Sequence, residues 1–463
     1  MFGATFRSPI DDAARRRKRD PVSVMSDPFS LLPALLSGGD SRIEPDPRTG
    51  LNKYLCPAMP APDVICASSC TASPISMQGF GRAARALTDI AGAMSPRQRS
   101  RRLTILTEQL KARLLQYFGI GALARVILCP SGTDALLMAA MLVAAERPGE
   151  TMTAILPSAS ETGTGVPMAA MCRAFDGPNR GKPLIDGETR VTKIPVRCAD
   201  GSSRSNDEVN DAFAKAASCA EAGNVVVYLT HGTKTGLIAP VSPPRGTDVI
   251  VDACQARIEP ETVAAYLMQG WPVVVTGSKF FGGPAFSGAL FFPLTRPLAT
   301  ARRTPGSAPR AAARLGTALR WTAAMAAIDA FEPVTAGMTS VLLSRAAAIE
   351  KAVASNPALV PIGGLRPRGT GWANLPSIFS IAVRDSVDRG RLLTAAELRP
   401  LYERLASMGV LAGQPVEVGR FGGLRIAIGA RDLTEGPDDG GLAHVFAALE
   451  DVTVPSRSLV AGR

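Results

Sequence analysis

Between residues 125 and 292 the chain alternates short β-branched, apolar runs with longer stretches whose apolar positions recur at helical spacing. The runs 125–129, 152–157, 190–196, 225–230, 249–252, 273–276 and 289–292 are predicted strands, and 133–146, 165–175, 206–222 and 260–268 predicted helices. Continuously apolar strands separated by helices imply a mostly parallel, seven-stranded-type sheet covered on both faces, an α/β architecture. In such sheets ligands bind where strands end and helices begin. That rule directs attention to the strand ends.

Outside this block the pattern changes. Helical spacing begins near Gln78 and is clear over 103–118, on elements expected to flank the sheet. After Pro293, two Ala-rich helices (310–331 and 339–355) precede strand 378–384, helix 395–408, strand 424–428 and helix 442–449, a smaller C-terminal α+β domain. The expected organisation is an N-terminal arm at 1–75, partly extended or disordered, a large domain at 76–335, a small domain at 336–455 and a tail at 456–463. Within the arm, the proline-punctuated stretch 54–76 reads as a segment lying across a surface.

Composition narrows the function classes. A hydrophobic content of 46% with 20% charged residues is that of a globular protein. The net charge of +11 is concentrated at 82–113, with eight Lys/Arg, and at 302–320, with five arginines, patches that favour anionic ligands. Without interleaved aromatics or a recognisable motif, nucleic acid is not an expected partner. The cluster Arg15–Arg19 reads as a solvated tail. The eight cysteines form no CxxC pair; Cys66 and Cys70 lack a second pair or a nearby histidine, so no metal site is expected. The longest apolar run, 135–145, is too short to span a bilayer, and a cytoplasmic protein is expected.

Three strand ends carry candidate chemistry. At 128–135 (LCPSGTDA) a strand meets a helix N-terminus, where Ser131, Gly132 and Thr133 suit an N-cap or, through free N–H groups, a phosphate cradle. At 249–255 (VIVDACQ) Asp252 ends an apolar strand, where a carboxylate is costly without a cationic or hydrogen-bonded partner. At 276–290 (TGSKFFGGPAFSGAL) Lys279 leaves a buried strand for a Gly-rich turn without a nearby acid, which suits a nucleophilic amine.

In order and spacing these motifs resemble fold type I enzymes using pyridoxal 5′-phosphate (PLP), the aspartate aminotransferase-like fold, and within them the class V aminotransferase and cysteine desulfurase branch. Asp252 and Gln255 match its D-x-x-Q, and the stretch through Gly288, Ala289 and Leu290 is similar to its lysine loop. The resemblance implies that Lys279 forms the Schiff base, Asp252 pairs with the pyridine nitrogen, and Gln255 bonds the phenolic oxygen. Thr276 and Ser278 would then touch the phosphate, and Thr233, in HGTKTG, would lie near the ring. It further implies that Arg425, in LRIAIGA, binds the substrate carboxylate, and that the enzyme is a homodimer.

Two departures qualify the resemblance. The branch usually places a histidine or another ring on the cofactor face, where this chain offers Glu161, Thr162 and Gly163. Ser278 stands where histidine often precedes the lysine, and no cysteine follows Cys254, which argues against desulfuration by a persulfide route. The expected function is therefore an aminotransferase acting on an α-amino acid, with an anionic substrate suggested by the basic stretch 302–320. A PLP-dependent lyase or synthase performing β/γ-elimination or replacement is the alternative. A catalytically silent PLP-binding regulator is the alternative of another class, although 1–75 is too proline-rich for a helix-turn-helix.

Overall fold

The computed structural model describes residues 30–220, 224–298, 311–363, 371–434 and 439–453. Helix α1 (Leu31–Leu36), strand β1 (Ile65–Ala67) and helices α2 (Met77–Ala91) and α3 (Pro96–Tyr117) lead into the large sheet. There follow β2 (Ala124–Cys129), α4 (Gly132–Ala144), β3 (Met152–Pro157), α5 (Val166–Ala170), β4 (Thr189–Ile194), α6 (Asn206–Ser218), β5 (Asn224–His231), β6 (Ile238–Ala239), β7 (Asp248–Ala253), α7 (Pro260–Met268), β8 (Val273–Thr276) and β9 (Gly288–Pro293). Helices α8 (Ala311–Phe331) and α9 (Met338–Ser355) lead to β10 (Leu359–Pro361), β11 (Ile378–Val383), α10 (Leu398–Ser407), β12 (Val410–Val418), β13 (Phe421–Ala427), α11 (Ala430–Thr434) and α12 (Asp439–Thr453).

The large sheet runs in the order β2-β9-β8-β7-β5-β3-β4, with short β6 folded back on β5. From β8 to β4 neighbouring strands are parallel, and β9 is antiparallel to both β8 and β2. The apolar run of β7 shows why the sheet needs two covers. Val249, Val251 and Ala253 enter a core with α3, α7 and α8, whereas Ile250 enters one with α4 and α5. Alternate side chains thus meet helices on opposite faces.

The smaller sheet runs β1-β12-β13-β11-β10 and is antiparallel except where β1 lies parallel to β12. Its edge strand is therefore contributed by the N-terminal segment. Residues 67–70 and 72–75 behind it are buried rather than spread over a surface; apart from Pro74 and Ile75 they are Ser, Ala and Cys, small enough to thread the interior.

The basic stretches also differ from the surface patches read in the sequence. Arg320 is fully buried; it donates to the carbonyls of Phe286 (2.6 Å), Leu35 (2.6 Å) and Ser37 (2.7 Å), tying α1 and the end of the lysine loop to α8. Neutral carbonyls suffice because a guanidinium offers five donors. Arg82 and Arg113 converge on Asp329, and Arg102 pairs with Asp89. Arg302, Arg303, Arg310 and the Arg15–Arg19 cluster lie outside the described residues.

Candidate functional site

Strands β5, β7 and β8 end side by side. Thr230 pairs with Asp252 across β5 and β7, and Asp252 with Val274 across β7 and β8. Because side chains alternate along a strand, Thr230, Asp252 and Thr276 share one face, the one covered by α4 and α5. Asp252 is 6% exposed, and its Oδ1 accepts the Cys254 N–H at 3.1 Å. Among the described residues no cation hydrogen-bonds to it. That leaves a buried carboxylate without the cationic partner it needs.

The N-terminus of α4 rests on these strand ends. A Cβ at Gly132 would lie 2.5 Å from Cys254 Sγ and 3.0 Å from the Thr276 methyl, and one at Gly288 would lie 2.2 Å from the Ser131 carbonyl. Only glycine permits both approaches. Ser131 caps the helix, accepting the Asp134 N–H at 3.2 Å and donating to Asp134 Oδ2 at 2.5 Å. Its hydroxyl is thereby engaged, and the first-turn N–H groups beside buried Thr133 remain the donors available to an anion.

The lysine loop is pinned at several points. Thr276 Oγ1 donates to the Cys254 carbonyl (2.7 Å), Gly277 N–H to Ser287 (2.8 Å) and Gly282 N–H to the Lys279 carbonyl (2.9 Å). Ala430 N–H, in the small domain, donates to the Phe280 carbonyl at 2.7 Å, and the Phe280 ring stacks on Trp372 with centroids 4.8 Å apart. Ser278 is buried. Lys279 is half-buried, and its ammonium has no hydrogen-bond or ion-pair partner among the described residues. Lys279 and Asp252 both lie within electrostatic reach of the Cys254 thiol, whose pKa is pushed well up by burial and then by Asp252. A thiol held protonated in this way is a packing group rather than a nucleophile.

The remaining predicted residues divide by how their polar atoms are used. Thr162 Oγ1 is buried without a partner, and so is Thr230 Oγ1 beside Asp252. Thr233 Oγ1 instead accepts the Leu237 N–H at 3.0 Å and shapes its own turn. Gln255 is engaged at both ends of its amide, donating to the Cys70 carbonyl (3.1 Å) and accepting from Arg257 (3.1 Å). Arg425 is 3% exposed and bonds only neutral groups: the Gln414 carbonyl, the Lys234 carbonyl and Thr71 Oγ1.

Sequence reasoning missed Thr230, Lys234, Arg257 and the buried Arg197–Glu161 pair. Arg197 Nε lies 2.7 Å from Glu161 Oε1, and both Glu161 oxygens accept from Thr235 Oγ1 at 2.8 Å. Thr230 was discoverable, since it lies near the end of β5, the strand that pairs with the Asp252 strand. The Glu161–Arg197 pair spans two loops and has no local signal.

The chain matches no protein-family profile and no curated protein sequence. It is similar in structure to the cysteine desulfurase CsdA from Escherichia coli, with a TM-score of 0.52 and 13% identity over 84% of this chain and 94% of that one. It is likewise similar to a serine palmitoyltransferase of Sphingomonas wittichii, with a TM-score of 0.51 and 12% identity over 84% and 87%. This is the fold type I architecture. An Oryza sativa TDC, crystallised with PLP and tryptamine, has it too, with a TM-score of 0.52 and 14% identity over 98% and 89% of the two chains. In this chain Asp252 stands at the end of β7, Lys279 in the loop after β8 and the α4 N-terminus after β2.

Proposed function

We propose that the chain is a PLP-dependent aminotransferase acting on an α-amino acid. The observation that carries this reading is a set of polar groups near the strand ends: the Lys279 amine and the Thr162 and Thr230 hydroxyls, which have no partner among the described residues, and the Asp252 carboxylate, which has no cationic one. These groups fit the cofactor's chemistry. Lys279 would hold its aldehyde, Asp252 its ring nitrogen, and the α4 N-terminus with Gly132, Thr133, Thr276 and Ser278 its phosphate. When bound, PLP supplies an electron sink for the substrate α-carbon.

The protein's own part is positioning and proton transfer. Arg425 would orient the substrate carboxylate, and the Lys279 amine would take the α-proton and return it elsewhere, at short range. Cys254, the last cysteine in the chain, is buried against Gly132, which leaves the C-terminal part without a thiol for persulfide chemistry. The described cysteines are all free thiols, in keeping with a cytoplasmic setting. No described helix is long and apolar enough to cross a membrane. A homodimer completes the proposal, and light scattering of the purified protein tests it.

The deciding experiment mixes the PLP-loaded enzyme with one equivalent of amino acid and measures keto acid and free ammonia. Keto acid without ammonia supports transamination, whereas keto acid with ammonia supports elimination and overturns the reaction assignment. Lys279→Ala should lower turnover about a thousandfold or more and abolish the bound cofactor's visible band. A band unchanged in that variant would overturn the PLP assignment.

A further inference from the structure

More positive charge surrounds Lys279 than this reaction uses. Lys234 follows β5, half-buried, with its N–H donating to the Glu161 carbonyl at 2.8 Å and its carbonyl accepting from Arg425 Nη1 at 3.2 Å. It is thus wedged between the loop leaving β3 and the arginine of β13. Its ammonium donates to the Ala159 carbonyl at 2.9 Å. An ammonium carries three donors, so this neutral contact leaves most of its capacity unspent.

Its acidic neighbours do not neutralise it. Glu161 is held by Arg197 and Thr235, with side-chain exposures of 7% for Arg197 and 1% for Glu161. Glu417 is exposed on β12 and is the weakest of the charged neighbours. Arg425 and Lys279, by contrast, repel it. Burial first, and then Arg425, pull the Lys234 pKa down to about 8, with Lys279 adding to the effect and Glu161 opposing it. Lys234 thus stands within electrostatic reach of both other cations, an arrangement that raises the local affinity for anions.

In the function proposed above two of the three would be used, Lys279 to hold the cofactor and Arg425 to hold the substrate α-carboxylate. We propose that Lys234 binds a second anionic group, carboxylate or phosphate, on the side chain of the substrate, so that the enzyme selects acidic amino acids. This inference rests on the amino-acid reading given above. It moves the expected preference for anionic substrates from the 302–320 stretch to a residue beside the lysine loop.

The test titrates the PLP-loaded enzyme with aspartate, glutamate and O-phosphoserine against asparagine, glutamine and serine, following the cofactor absorbance. The acidic members should bind about tenfold to a hundredfold more tightly than their neutral counterparts, the range expected of a charge-assisted contact. Aspartate or glutamate leading would identify a carboxylate, and O-phosphoserine leading a phosphate. Lys234→Gln, which keeps a donor for the Ala159 carbonyl, should weaken only the acidic set, and Lys234→Arg should restore part of the gap. Equal binding of both sets by the wild type overturns the inference, as does a gap that survives in Lys234→Gln. Absorbance that no amino acid perturbs would overturn the amino-acid reading itself.

Discussion

Arg257 and Arg425 are both buried where the two domains meet, and neither is bonded to an acid, yet they are spent differently. Arg257 uses all five donors: Nε to Ser377, Nη1 to the Gln255 carbonyl and side-chain oxygen, and Nη2 to Ser69 and the Ile428 carbonyl. It joins the β7 loop, the N-terminal segment and the small domain. Arg425 makes four such bonds, three of them from Nε and Nη2, and one Nη1 proton finds no acceptor among the described residues. A saturated guanidinium is a clamp. One with a spare donor beside a second cation retains capacity for a ligand.

Substitution separates the two arginines. Arg257→Met strands the acceptors of Ser377, Ser69, Gln255 and Ile428 and should lower stability by about 3 kcal/mol, read from the urea midpoint. Arg425→Met should cost less in stability, with four bonds lost rather than five, while raising KM for the amino acid about a hundredfold. Equal losses of stability in the two variants would erase the distinction.

Two smaller effects depend on pH. His231 Nδ1 lies 3.0 Å from the Tyr266 hydroxyl, and burial lowers the imidazole pKa to about 4. Between an ordinary value of 6.5 and about 4 the unfolded chain binds this proton and the folded one does not, so acid weakens the fold across that window. The loss should reach roughly 2 kcal/mol and be absent in His231→Gln, with pH 6.5 to 5 the informative range because ordinary carboxylates titrate lower. Smallest is the effect at Lys234, which faces Arg425, Lys279, Glu161 and Glu417. Its ammonium loses its proton as pH rises through about 8, so the preference for acidic amino acids should decline there while neutral ones are unaffected.

The large sheet was legible because most of its strands are apolar runs, several of them flanked by helices, and the predicted and observed bounds agree closely for β3, α7 and β8. Two misses have local causes. The predicted helix at 165–175 stops at Ala170, with Cys172 at φ 51°, outside the helical region. Strand β12 was overlooked because Gly413 and Pro415 interrupt its pattern; a register shift between Gly413 and Val416 accommodates both. At the site, Lys279, Asp252 and the α4 N-terminus could be read because each is announced by its strand. The roles of Lys234, Arg257 and the Arg197–Glu161 pair could not, since they depend on carbonyls and charges brought together from distant segments.

One such meeting constrains how the molecule is made. Thr71 bonds Arg425, and Arg257 bonds both Ser69 and the Ile428 carbonyl. A ribosome must therefore finish β13 before the segment around residue 70 can take its place. Until then the nascent chain carries the β7 loop without the clamp that ties it to the small domain. In the proposed enzyme the site is therefore completed late in synthesis, although Lys279 is laid down well before β13.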